Sequence, residues 1–198
     1  MTWALFPGDK YTRAALEIVT TASQHGPGAE RVVAVLGGAL LEEAVDKTLR
    51  ERLQNIPLAD GLLSIDGALG NMGPKTDLLY LLRAFDSNTL KTLKGIAGVR
   101  NFFAHHLDAS FDSLNKDFVN SIGKLVLHEG RTHYPHHLFG PDSQTPIEPV
   151  SSRRDLFILN LKLALIMLMR DRVSHEPWTN RQLTEEELLA NYPDRWER

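Results

Sequence analysis

Cysteine is absent from the 198 residues, which rules out a disulfide scaffold and any zinc or iron–sulfur site built on thiolates. Charge of one sign is also in short supply: 22 basic against 25 acidic residues leave a net charge of −3. Non-specific affinity for DNA or RNA comes mainly from neutralised phosphates, so a chain of this balance is poorly suited to coating nucleic acid. No apolar run reaches the roughly 18 uninterrupted residues that a membrane span needs. The nearest candidate, residues 156–169, is broken by Asn160 and Lys162 and has charges at both ends, so no membrane association is expected. The opening Met-Thr-Trp-Ala-Leu-Phe-Pro has no basic stretch followed by a long apolar one. A secretory leader is therefore not expected, and the cytoplasm is the expected location. Alternating strand patterns of useful length, internal repeats and low-complexity tracts are missing as well.

What remains is helical period. With 42% hydrophobic and 24% charged residues the composition is that of one ordinary globular domain. The expected fold is all-α, a single-domain bundle of about six to seven helices over residues 1–175. A long loop is expected at 129–150 and a tail at 176–198. A first helix is expected over residues 9–24, ended by the Gly26-Pro27-Gly28 breaker. A longer one over 29–53 turns Val33, Leu36, Leu40, Ala44, Val45 and Leu49 inward and carries Glu43/Lys47 and Asp46/Arg50 pairs outside. Gly37-Gly38 within it costs about 1 kcal/mol per glycine relative to alanine. That cost points either to close approach of another backbone or to a kink.

Residues 66–74 form a glycine-rich connector, with Pro74 opening a helix through Lys75, Leu78, Leu79, Leu82 and Arg83. The connector has neither a preceding strand nor phosphate-loop spacing, so a tight inter-helix turn accounts for it better. Ser87 or Asp86 caps the next helix, and another is expected over 113–128. Residues 156–169 read as a helix buried nearly all round. In the tail, Thr184 and Glu187 make a capping box that opens a short amphipathic helix, flanked by Trp178 and Trp196.

The most informative run is residues 98–106, Gly-Val-Arg-Asn-Phe-Phe-Ala-His-His. The apolar stripe Leu90, Leu93, Ile96 and Ala97, continued at helical spacing, lands on Arg100, Asn101 and Ala104, with His105 four beyond Asn101. Buried polar groups cost roughly 1–3 kcal/mol each unless paired, so something must compensate for them. One use is scaffolding, a structural polar network of Arg100, Asn101 and His105 bonded inward, with Arg100 on Glu42 or Glu43. The other is catalytic: cleavage of RNA without a metal, His105 taking the 2′-hydroxyl proton, Arg100 stabilising the charged phosphorane and Asn101 orienting one of them. Between Gly73 and His106 there are five basic against two acidic residues, which suits a solvated face at least as well as a nucleic-acid surface.

His128, His133, His136 and His137 crowd the long loop, but their spacing matches no metal motif. No metal site and no cofactor are expected.

Residues 30–112 resemble the core of the mannitol operon repressor family of bacterial proteins. The resemblance is carried by the helix around Val35–Leu49, Gly67-Ala-Leu-Gly70, Lys75 with Leu78-Leu79-Tyr80, and Leu90, Leu93 and Ile96. It continues through Val99-Arg100-Asn101-Phe102-Phe103-Ala104-His105 to Phe111. Phe102 stands where that family often has an acidic residue, and residues 129–198 have no counterpart. The Arg-Asn-x-x-x-His signature also resembles that of HEPN helical domains, many of them metal-independent ribonucleases acting as dimers. Both resemblances imply an all-helical bundle. The first implies a transcriptional regulator. Since no helix-turn-helix with a basic recognition helix stands out, it is expected to act through a protein partner or a homodimer, without specific DNA binding. The second implies an endoribonuclease in which Arg100 and His105 of two chains meet, with RNA as the partner.

Overall fold

The computed structural model describes residues 27–53, 56–133, 146–147 and 149–174. Among these the chain is helical, with no strand and one isolated antiparallel bridge between His133 and Pro146. In order the helices are α1 (Pro27–Arg52), α2 (Ile56–Leu63), α3 (Met72–Leu81), α4 (Ser87–His105), α5 (Lys116–Ile122) and α6 (Arg153–Ser174). None of them is long and apolar enough to cross a membrane. The helix expected over 9–24, the Thr184/Glu187 box, Trp178 and Trp196 lie outside the described residues.

α1 starts on Pro27, whose missing N–H costs nothing in a first turn. α4 starts on Asp86, whose carboxylate accepts from the Thr89 amide at 2.8 Å and the Thr89 hydroxyl at 2.7 Å. α4 occupies the middle of the bundle and packs against α1, α3, α5 and α6. It runs antiparallel to α1, since Arg31 donates to the His106 carbonyl at one end and Arg100 lies over Gly38 further along. α6 runs parallel to α1. Its first residue, Arg153, donates to the Ser113 carbonyl at 2.8 Å. The Phe157 ring lies tilted against Phe111 at 5.5 Å, and the Phe111 amide donates to Glu30 near the start of α1 at 3.0 Å.

The core is aromatic at that end. Phe103, Phe118 and Phe157 are fully buried, with Phe111 between them at 4.8 Å from Phe103. Near the middle a buried amide on α6 braces the segment at Leu127 and His128. Asn160 accepts from the Leu127 amide at 2.9 Å and donates to the Leu156 carbonyl at 2.9 Å and to His128 Nδ1 at 3.2 Å.

Three expectations need correction. Leu36 faces solvent, while Ala34 and Leu41 are fully buried beside Val33, Leu40, Val45 and Leu49, which face the core as expected. The helix expected over 113–128 contracts to α5. Asn115 caps it, and beyond Gly123 the amides of Val126 and Leu127 go to the side chains of Thr92 and Asn160 in place of the helical carbonyls. The pair Asp46/Arg50 is present at 2.6 Å, but it is no simple surface pair. Asp46 also holds the ammonium of Lys75, a residue only 5% exposed, at 2.7 Å. Arg50 in turn reaches Asp60 in α2, so one carboxylate ties α1 to α3 while its neighbour ties α1 to α2. The glycine-rich connector is a tight turn, as its composition suggested: Gly67 donates to Ser64 at 2.9 Å and Leu69 to Leu62 at 2.8 Å.

Candidate functional site

On α4 the buried positions are Thr89, Thr92, Leu93, Gly95, Ile96, Val99, Phe102 and Phe103. This stripe bypasses Arg100, Asn101 and His105. Asn101 and His105 are exposed, and the side chain of Arg100 retains 39% of its exposure. The inward-facing network expected of these three is therefore corrected: they stand on the open side of α4, with Asn101 and His105 four residues apart on one face. Ala97, read as part of the core stripe, is only half-buried.

Arg100 sits at the edge of that face because α1 offers it a floor without a side chain. A Cβ on Gly38 would lie well under 3.0 Å from both Cβ and Cγ of Arg100. On the other side of the same turn, a Cβ on Gly37 would be 2.6 Å from Cδ2 of Leu161. Both glycines thus mark close approach, by side chains of α4 and α6 rather than by another backbone, and α1 continues through them unbroken. Gly38→Ala should cost about 1–2 kcal/mol, overpacking outweighing the gain in helix propensity. Gly61→Ala in α2, where nothing lies within 4 Å, should be neutral or stabilising by roughly 0.5 kcal/mol. Thermal denaturation of the two variants checks this, and equal shifts would contradict it.

From this floor the Arg100 guanidinium donates to Asn101 Oδ1 at 3.0 Å and faces Glu42 Oε2 at 3.9 Å, beyond hydrogen-bonding reach. Its Nε is buried without an acceptor among the described residues. Asn101 and Arg100 line a cleft of about 550 Å³ between α1, the start of α3 and α4, together with Gly38, Glu42, Asp77 and Lys94. Lys94 pairs with Asp77 at 2.6 Å across it. Two cations and two carboxylates therefore share the walls, so the cleft carries no net excess of positive charge. Glu42 was one of the two partners expected for Arg100; the parts played by Asp77 and Lys94 depend on α3 meeting α4 and left no local signal.

His105, the exposed last residue of α4, does not line the cleft. Its neighbour His106 turns back: Nδ1 donates to the Phe102 carbonyl at 2.9 Å, and the ring stacks on Phe102 at 4.3 Å. Of the loop histidines, His128 is held by Asn160, and His133 lies 2.9 Å from the Thr132 hydroxyl. His136 and His137 lie outside the described residues. Among the described residues no three His, Asp or Glu side chains are placed to hold a metal ion. No family model, curated protein or solved structure matches the chain.

Proposed function

We propose that the chain is a mannitol-repressor-like transcriptional regulator, a cytoplasmic helical interaction module that works as a homodimer or through a protein partner and without direct specific binding of DNA. Its working surface is the open side of α4 with the adjoining cleft. One observation carries this reading: Arg100, Asn101 and His105 contribute nothing to the core, yet α1 gives up a side chain at Gly38 to seat Arg100 at the cleft edge. A face with paired charges of both signs, Lys94 with Asp77 and Arg100 near Glu42, suits another protein better than a polyphosphate, which carboxylates repel.

The exposure of His105 and Asn101 on one face favours a second reading, a HEPN-type ribonuclease using Arg100 and His105 across a dimer. Metal-free incubation with labelled single-stranded RNA separates the two. The regulator is expected to leave the RNA intact, and cleavage by the parent that disappears in His105→Ala establishes the enzyme instead. The regulator further predicts that deleting the gene alters a small set of transcripts in the host. The parent chain should restore them, and Arg100→Glu, which reverses the charge at the cleft, should not. Equal restoration by both would remove the cleft face from the function.

A further inference from the structure

The cleft beside α4 holds one charge pair that is satisfied and one that is not. Lys94 and Asp77 lie 2.6 Å apart and neutralise each other. Arg100 and Glu42 do not meet: Nη2 of the guanidinium stands 3.9 Å from Oε2 of the carboxylate, too far for a hydrogen bond. Arg100 Nη1 donates to Asn101 Oδ1 at 3.0 Å, which leaves the Nδ2 donors of Asn101 unclaimed. Among the described residues Glu42 accepts no hydrogen bond and Arg100 Nη2 donates none. The stem of Arg100 lies directly on Gly38, and its Nε is buried without an acceptor. Only the Nη1/Nη2 end of the guanidinium is therefore left for a partner, with the free Glu42 carboxylate next to it.

The chemistry of that gap defines what fits it. The end of a guanidinium takes a carboxylate through two parallel hydrogen bonds. A bare carboxylate placed there would be repelled by Glu42. One that carries an ammonium on the adjacent carbon sets its negative group on Arg100 and its positive group on Glu42. Two cations and two carboxylates line the cleft, so a ligand of zero net charge leaves no excess of either sign. Glu42 and Asp77 repel a polyphosphate, and Arg100 and Lys94 repel a metal cation. The volume, about 550 Å³, is that of a small-molecule site. Met72, Pro74 and Ala97 give the same cleft an apolar wall.

We infer that the cleft binds a free α-amino acid with an apolar side chain, its carboxylate on Arg100 and Asn101 and its ammonium on Glu42. The inference rests on the regulator reading in placing the working surface at the cleft, and it makes the amino acid the effector. Isothermal titration of the full chain with L-leucine, L-methionine and L-phenylalanine tests it. At least one should bind saturably, with a dissociation constant below about 10 mM. The deaminated and decarboxylated analogues of that amino acid, and inorganic phosphate, should each bind at least about tenfold more weakly, because each leaves a charged group of the site unpaired. Glu42→Gln should weaken the amino acid by at least about tenfold and leave the deaminated acid bound as well as before or better. A merely structural role for Glu42 would not reverse that preference. The analogue series needs only the parent chain, so it decides the matter even where the variant does not fold. No binding of any of the three, equal binding of the deaminated acid, or an affinity untouched by Glu42→Gln overturns the inference. A chain that binds no amino acid, yet whose Arg100→Glu variant fails to restore the transcripts, removes the effector and keeps the regulator.

Discussion

Phe103→Ala is expected to destabilise the chain by about 3–5 kcal/mol, the range for deleting a fully buried ring. Phe103 is completely buried, with Phe111 at 4.8 Å and both Phe102 and Phe118 against it edge-on. Little flexible side chain is available to fill the space, because its neighbours are rings already held by one another. By contrast, Asn101→Ala and His105→Ala, each two positions away from Phe103, remove exposed groups and should each stay within about 0.5 kcal/mol of the parent. Urea titration of the three variants, with m-values unchanged, is the measurement. A large loss for His105→Ala with tolerance of Phe103→Ala would return the polar groups to a scaffolding role and undo the placement of the working surface.

That contrast also explains how the run at 98–106 misleads. Its apolar phase was set by Leu90, Leu93, Ile96 and Ala97, and alanine suits either face of a helix. The true phase is set by Thr89 and Thr92, which hydropathy counts as polar. Both are fully buried because their hydroxyls are satisfied, Thr89 on Asp86 and Thr92 between the Lys124 carbonyl and the Val126 amide. Shifting the phase by that amount carries Val99 and the two phenylalanines inward and turns Arg100, Asn101 and His105 out. Elements whose determinants are local were legible: the all-α class, α1, α4 with its cap, α6, and the tight turn at Gly67. α5 was not, since its end is imposed by Thr92 and Asn160 from other helices. The glycine pair announced close approach without naming the visitor, because Arg100 and Leu161 arrive from far along the chain. The cleft exists only where α1, α3 and α4 meet, and no window of sequence contains all three.

The same limit applies to Asp46, where the second large effect is expected. Spacing placed it with Arg50 on a solvated face, and an exposed i,i+4 pair is worth about 0.3–0.5 kcal/mol. Its tie to Lys75 changes the scale. Lys75 is 5% exposed, so removing its carboxylate leaves an ammonium with little water, a loss that reaches about 3–5 kcal/mol for fully buried pairs. The Asp46 side chain is itself 24% exposed, and screening reduces the expectation for Asp46→Ala to about 2–3 kcal/mol. Lys75→Met, which removes the buried charge and keeps the volume, should cost far less or nothing. Burial of the Asp46 carboxyl works to raise its pKa, but hydrogen bonds from Lys75 and Arg50, joined by their charges, outweigh it and hold the group below its ordinary value. A carboxylate depressed in the folded state stabilises fully above its unfolded pKa of about 3.9, and the contribution fades as pH falls through the lower folded value. The stability gap between the parent and Asp46→Ala should therefore stay level from neutral pH down to about 5 and shrink below about 4. A gap that closes already near neutrality would mean that another group holds Lys75, and the bond between α1 and α3 would have to be reassigned.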